Sequence, residues 1–323
     1  MKVMLQPSGH VIELLPREKI IDAVERLGID APRSCRNANC HLCAANLISG
    51  KVRQGDDIFE SGELFTCLAE PLSDCEVHWD EVLDPNDLPL CKVTCQLVSV
   101  TPLGADVFSV RLRLPEAKVV RYHAGQYLLI ERDNGESSAF SIASAPQQGR
   151  ELELHILARD NAAVALLKQL QKERIARVQM PFGDVHLAGA DERPLLLIAA
   201  GTGMAQMHSL IEHCRATEFS QPIHVYWGAR IAEDFYTLKN LPAWQAMSYL
   251  HFHQIVSEDS GWKGRVGMLY EAVCHDIQNL SDYRVIASGS PAMIYGTFDA
   301  LVAAGMQPEQ MHADVFAYAP RPE

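Results

Sequence analysis

Residues 31–43 read Ala-Pro-Arg-Ser-Cys-Arg-Asn-Ala-Asn-Cys-His-Leu-Cys, and together with Cys67 they set four cysteines in the spacing C-x4-C-x2-C-x23-C. Thiolates at these separations can wrap a [2Fe–2S] cluster, three from one loop and the fourth from a distant segment. A zinc site with four cysteine ligands is the rival. It usually arrives as two C-x-x-C knuckles, and only Cys40 to Cys43 forms one. Four unrelated core cysteines are a third reading, opposed by three thiols falling within nine residues of a polar loop. Cys35, Cys40, Cys43 and Cys67 are therefore the candidate metal ligands.

Outward from that loop, residues 2–6 and 11–15 alternate around Ser8-Gly9 as an opening hairpin. Helical periodicity runs over 19–27 and stops at Gly28, a strand is expected over 44–47, and Cys67 sits in a second loop closed by Pro71. Residues 82–91 hold two prolines and two acids, the composition of a semi-rigid linker. Beyond it, alternation predicts strands over 93–100, 107–114, 126–130 and 152–157, then a helix over 162–172 capped by Asn161, which suggests a small antiparallel barrel. From Pro194 strands (195–199, 223–227, 250–255, 283–286, 311–315) alternate with helices (205–215, 269–276, 292–304), the pattern of a parallel sheet between helices. The expected organisation is multidomain: an α+β unit over 1–84, a linker over 85–91, an antiparallel β-barrel over 92–188 and an α/β unit over 189–323.

The 323 residues carry a net charge of −13, which argues against nucleic acid as a partner. Residues 1–85 hold 8 Lys+Arg and 15 Asp+Glu, so a quarter of the chain carries over half of the excess. Such an acidic face suits either a generic solvated surface or the steering of a basic electron-transfer partner. The longest strongly apolar run, 195–200, is far too short to span a membrane, and Met1–Pro7 has no signal-peptide core. A cytoplasmic location is the expectation, and five further cysteines without pairing logic (Cys75, Cys91, Cys95, Cys214, Cys274) suit it as small core residues.

The order of hairpin, helix, cysteine loop and strands resembles the β-grasp fold of plant-type ferredoxins, on the phrase 31–43 and on Cys67-Leu68-Ala69-Glu70-Pro71. Where that family usually has glycines that bend the loop and aim amides at sulfur, this chain has Ala38 and His41. Phe140-Ser141-Ile142-Ala143-Ser144, with Ala124-Gly125-Gln126-Tyr127 before it, looks like the flavin barrel of the ferredoxin–NADP reductase superfamily and its R-x-[YF]-S motif. The resemblance implies flavin contacts from Tyr127, Phe140, Ser141, Ile142 and Ala143, with the Ser141 hydroxyl near flavin N5. His155, Ile156 and Leu157 match the strand that flanks the ring. Two features depart from the family. Ser138 replaces the arginine that holds the flavin phosphate, and the G-x-x-S expected after Leu157 is missing, as it is in reductases that bind flavin as a substrate. FAD is the expected flavin, with FMN or an exchangeable flavin as alternatives and Arg132 or Arg159 as substitute phosphate contacts.

Gly201-Thr202-Gly203-Met204 follows a buried strand and opens a helix, where backbone amides can approach a pyrophosphate. With Gly228-Ala229-Arg230 and Gly289-Ser290-Pro291-Ala292-Met293 it resembles the same superfamily's nicotinamide domain. The resemblance places Gly201, Thr202, Gly203, Met204, Gly228, Gly289, Pro291 and Met293 at the dinucleotide, Arg230 on its adenosine side, Ser288 beside the nicotinamide, and Phe316 of the final strand over the flavin. Ile231-Ala232-Glu233-Asp234 follows Arg230; two carboxylates there favour NADH over NADPH. His251 and His253 share a strand face and read as a surface or satisfied core pair. The whole resembles an NAD(P)H-dependent reductase passing electrons through flavin to a [2Fe–2S] cluster and on to a redox partner, an oxygenase or dehydratase. A reductase releasing reduced free flavin and a flavin-free, cluster-bearing binding module are the alternatives.

Overall fold

Strict alternation builds the first strand, β1 (Lys2–Gln6), in which Val3 and Leu5 are wholly buried while Lys2 and Met4 face outward. The structure is a computed structural model describing residues 1–29, 31–80, 82, 88–187 and 193–321. By contacts it divides into two units, Met1–Pro89 with Leu114–Arg121, and Leu90–Arg113 with Tyr122–Glu323.

In the first unit β1 pairs antiparallel with β2 (Val11–Glu13), and α1 (Ile20–Arg26) follows. The helix buries Ile20, Ile21, Ala23 and Val24 at helical spacing. After the cysteine loop come β3 (Ala44–Ser49), β4 (Val52–Gln54), β5 (Asp57–Phe59), β6 (Gly62–Phe65), β7 (Ala69–Pro71) and β8 (Cys75–His78). The main sheet has the order β2-β1-β8-β3-β6, with β1 and β8 parallel; β5-β4-β7 form a small second sheet. One core holds Val3, Leu5, Ile20, Leu47, Leu64 and Trp79. The small second sheet carried too little alternation to be expected.

The second unit opens with β9 (Cys91–Gly104), β10 (Val107–Arg113), β11 (Tyr127–Glu131), β12 (Ser137–Ser141), β13 (Glu151–Leu157), α2 (Asn161–Glu173) and β14 (Ile175–Phe182). Its six strands run antiparallel in the order β12-β11-β14-β9-β10-β13, and a single bridge from Ile142 to Leu154 joins the two edges. Helix α2 is capped by Asp160, whose carboxylate accepts from the Ala163 amide at 2.7 Å; the expected cap, Asn161, is already helical.

A six-stranded parallel sheet then forms from β15 (Leu195–Ala200), α3 (Met204–Ala216), β16 (Ile223–Ala229), α4 (Leu241–Gln245), β17 (Leu250–Val256), β18 (Arg265–Val266), α5 (Leu269–Asp276), β19 (Arg284–Ser288), α6 (Pro291–Ala303), β20 (Met311–His312) and α7 (Val315–Tyr318). The strand order is β18-β17-β16-β15-β19-β20. The last expected strand is shorter than its alternation suggested: pairing ends at His312, and residues 315–318 turn into helix. Barrel and parallel sheet belong to one contact unit, and the expected boundary between them, at 188/189, lies outside the described residues, as does 83–87 of the linker region. Among the described residues no helix is long and apolar enough to cross a membrane.

Candidate functional site

The cysteine loop is bent by residues in the left-handed region: φ is 56° at Arg36, 64° at Ala38 and 58° at His41. A side chain in that region costs about 1–2 kcal/mol per residue, so the bend is held against strain. Arg36 supplies part of the hold through ion pairs to Asp22 (2.8 Å) and Glu25 of α1. On the far side the Cys43 carbonyl accepts from both the amide and the hydroxyl of Thr66, at 3.0 Å each. The exposed His41 ring stands edge-on to Phe65, with centroids 4.8 Å apart.

The four thiols meet in two pairs. Cys35 bonds to the thiol and the amide of Cys40, the latter at 3.3 Å, and Cys43 bonds to Cys67. The amide of Asn37 is the chief influence holding the Cys35 thiol down to about 7, aided by Cys40 and the Asn39 amide. Burial pushes Cys67 up to about 11 against the opposing pull of the Ala38 amide. Loop amides therefore point at the sulfurs even without the expected glycines. No group of three or more His, Cys, Asp or Glu side chains among the described residues is arranged around a single metal ion. Four thiols with amides aimed at them fit an iron–sulfur cluster.

In the barrel, Ser141 ends β12 opposite Tyr127, whose ring stacks on Phe182 with centroids 5.5 Å apart. The half-buried Ser141 hydroxyl makes no hydrogen bond among the described residues, which leaves it available to a ligand. Phe140 is half-buried. Ile142 and Ala143 are buried and locked by their backbones: Ile142 donates to the Gln126 carbonyl at 3.0 Å and Ala143 to that of Glu153 at 2.7 Å. His155 has both ring nitrogens engaged, Nδ1 with the Tyr236 hydroxyl at 3.1 Å and Nε2 near Glu153 at 3.5 Å. Ile156 points into the core, and only Leu157 of that trio lines the neighbouring cleft. The ring end of the flavin motif thus fits its expected ligand through Ser141 and Tyr127.

The phosphate end does not fit. Ser138 lies on β12 opposite Ile130, and the α2 N-terminus is filled by the Asp160 carboxylate. Arg132 is committed to Glu136, and Arg159 to Asp106 (3.2 Å) and Asp234 (2.6 Å). A charge-assisted hydrogen bond adds about 1.5–3 kcal/mol, so restoring the arginine in Ser138→Arg is expected to tighten FAD binding about ten- to a hundredfold in a fluorescence titration. Unchanged affinity would mean that the phosphate is held elsewhere.

The dinucleotide motifs converge where the neighbours of β15 diverge to either side, the switch point at which parallel sheets bind ligands. A cleft of about 640 Å³ opens there, lined by Gly201, Thr202, Gly228, Arg230, Ser290 and Met293 among others. Gly201 has φ 54°, and its carbonyl accepts from Trp227 Nε1 at 2.9 Å. Gly203 lies against the end of β19, where a Cβ would come within 2.3 Å of the Ser288 carbonyl oxygen, so Ser288 stands beside the motif. Met204 is buried, and Gly289 packs on Met293, which is close below it. Pro291 opens α6, with the Ser290 hydroxyl accepting from the Met293 amide at 3.4 Å. These residues fit a pyrophosphate cradled by a helix N-terminus.

Phe316 departs from its expected place. It lies on α7, not on a strand, and its ring packs on Tyr295 and Phe298 of α6, with centroids 5.6 and 5.5 Å away. The chain end reaches the Tyr127 region through Asp314 instead: a Cβ on Gly183 would lie 3.0 Å from both Asp314 Oδ1 and the Tyr127 ring. Burial raises the Asp314 carboxyl to about 6, Gln206 opposes the rise with a 3.0 Å hydrogen bond, and Asp184 adds to it. Glu153 was also missed. It accepts from Ser109 at 2.5 Å and from His155, and these bonds outweigh burial to bring it down to about 2. His224 joins His251 and His253 from β16, with centroids 4.6 and 6.5 Å away. Long-range pairing places all of these groups, and no local motif marks them.

Comparison with known proteins agrees with this geometry. Residues 3–72 match the 2Fe-2S iron-sulfur cluster binding domain, and 197–298 match the oxidoreductase NAD-binding domain. The chain is 30% identical over 332 residues to the terephthalate 1,2-dioxygenase reductase component 2 of a Comamonas species, covering 99% of this chain and 98% of that one. It is 33% identical to the NAD(P)H-flavin reductase of Vibrio harveyi, over 70% of this chain and 99% of that one. The crystal structure of the Amycolatopsis cytochrome P450 reductase GcoB superposes with a TM-score of 0.64 at 25% identity, covering 97% of each chain. The chain therefore belongs to the family of NAD(P)H-dependent reductases that join a 2Fe–2S domain to a flavin- and NAD-binding oxidoreductase module. Its cofactors are a [2Fe–2S] cluster, flavin and NAD(P)H, and electrons pass between them in the reverse of that order.

Proposed function

We propose that this chain is the reductase component of a multicomponent oxygenase or dehydratase system in the cytoplasm, delivering single electrons to a separate partner protein. The observation that carries this reading is the set of two thiol pairs in a chain that also holds the dinucleotide cleft, so hydride entry and electron exit share one polypeptide. Relatives aligned over nearly their whole length include the terephthalate 1,2-dioxygenase reductase component and the CDP-6-deoxy-L-threo-D-glycero-4-hexulose-3-dehydrase reductase of Yersinia pestis, at 30% identity each.

Flavin, when bound, accepts a hydride as an electron pair and gives the electrons up singly, while the cluster carries one at a time. The protein's part is placement. Gly201 and Thr202, in the turn before α3, present amides to the pyrophosphate, and Trp227 braces that turn through the Gly201 carbonyl. Arg230 holds the adenosine side, and Ser288 stands at the other end of the motif, beside Gly203. The Ser141 hydroxyl is positioned to donate to or accept from flavin N5 according to its protonation. Cys35, Cys40, Cys43 and Cys67 hold the cluster within a segment of net charge −7, suited to steering a basic partner.

The test is an anaerobic titration of the purified protein with NADH. Loss of the cluster's visible absorbance, with flavin present in the preparation, is the expected result. A cluster that stays oxidised while flavin is reduced would overturn the relay. A second reading, release of reduced flavin to solution, is favoured by Ser138 and by the Asp160 carboxylate at the α2 N-terminus. It predicts that NADH oxidation requires added flavin and saturates with it.

A further inference from the structure

Two cations line the dinucleotide cleft among the described residues, Arg159 and Arg230. Both guanidiniums already carry carboxylate partners. Arg159 is held by Asp234 and Asp106, at 2.6 and 3.2 Å. Arg230 donates through both Nε (3.1 Å) and Nη2 (2.8 Å) to the two oxygens of Glu258, which lies just beyond the end of β17. This is a fork-to-fork pair, the geometry in which a guanidinium meets a carboxylate or a phosphate most completely. Asp234 adds a further negative charge within range of both members of the pair. Asp259 accepts from the Ala232 amide at 3.4 Å, so a third carboxylate ties the same two loops together.

We propose that Glu258 is the residue that makes this cleft select NADH over NADPH, by occupying the fork of Arg230 that a 2′-phosphate would need and by offering that position a hydrogen-bond acceptor instead. The inference rests on the reading of Arg230 as the adenosine-side contact. A ribose hydroxyl can donate to a carboxylate that keeps its arginine. A phosphate dianion competes with the carboxylate for the arginine and lies beside Glu258 and Asp234, a repulsion that the ribose hydroxyl does not meet. The discriminating element is therefore a repulsive one. It is remote in sequence from Arg230, 28 residues away, and no motif in the run after Arg230 discloses it.

The test measures binding of 5′-ADP and 2′,5′-ADP to the purified full-length protein by calorimetry at low salt, a readout independent of turnover. The native protein is expected to bind 5′-ADP at least about tenfold more tightly. In Glu258→Gln, which keeps the shape and removes the charge, the preference for 5′-ADP is expected to collapse: 2′,5′-ADP tightens by about tenfold, and 5′-ADP weakens as its ribose loses a charged acceptor. The NADPH-to-NADH ratio of kcat/KM should move the same way. Equal affinities in the native protein, or a ratio unmoved in Glu258→Gln, would overturn the proposal. Arg230→Ala separates the two levels of inference. If it leaves 5′-ADP binding intact, the adenosine-side reading of Arg230 is wrong; if it weakens 5′-ADP and Glu258→Gln still changes nothing, only the role of Glu258 fails. Both side chains are more than half exposed, so neither change threatens the fold.

Discussion

In Cys43→Ser, the visible spectrum of the cluster and the NADH-driven reduction of cytochrome c are expected to vanish while ferricyanide reduction by NADH continues. Cys43 is 2% exposed, bonds to the Cys67 thiol, and is fixed by Thr66 through its own carbonyl. Serine fits the space, but its hydroxyl stays protonated where a thiolate is required. Loss of an outer-shell contact alone costs ten- to a hundredfold in metal affinity, so loss of a ligand should reduce cytochrome turnover by at least about a hundredfold. Ferricyanide takes electrons from the flavin directly, and the flavin motif and dinucleotide cleft lie in the other unit. Cys40→Ser, at a half-buried position, gives the same reading without placing a hydroxyl in the core. Cytochrome reduction at the native rate in both variants would refute the relay.

Gly203→Ala should produce the complementary phenotype, an intact cluster that NADH no longer reduces. At this position φ is −55°, so the backbone itself would accept alanine. The obstacle is the neighbour: the new Cβ would lie 2.3 Å from the Ser288 carbonyl oxygen and 2.7 Å from its carbonyl carbon. Both are backbone atoms at the end of β19, which pairs with β15 through Ala199 and Ser288. They cannot swing aside as a side chain tip does. Overpacking of this kind costs about 1–3 kcal/mol, visible as a lower thermal midpoint. The larger effect is on rate, because a shift of about 1 Å in a positioning element can cost a hundredfold. Stopped-flow reduction of the flavin by NADH measures it, and native kinetics would show that the motif does not need this close approach.

Much of this arrangement could be read in advance, for a reason visible in particular residues. Chemistry that requires several groups within a short segment leaves a local mark: three cysteines between 35 and 43, Gly201-Thr202-Gly203 after an apolar strand, Phe140-Ser141 in an alternating run. What stayed hidden is what long-range packing assembles. Glu258 reaches Arg230 only because β16 and β17 run parallel and end together. Asp314 meets Gly183 and Tyr127 across most of the second unit, and His224 joins His251 by strand register. Other differences are local competitions. Asp160 outcompetes its neighbour Asn161 as the α2 cap, and Val315–Tyr318 coils into a helix where the resemblance placed Phe316 on a final strand. Ile142, Ala143 and His155 sit within the expected flavin motif, yet hydrogen bonds turn them toward the interior.

The loop that grips the cluster also presents a face. Two of its left-handed positions, usually glycine in plant-type ferredoxins, are bare backbone there; here Ala38 adds a methyl group and His41 an exposed imidazole propped on Phe65. The outer surface of that loop therefore carries a methyl group and an aromatic ring where glycine would leave main chain alone, and both are kept at the cost of left-handed strain that glycine would not meet.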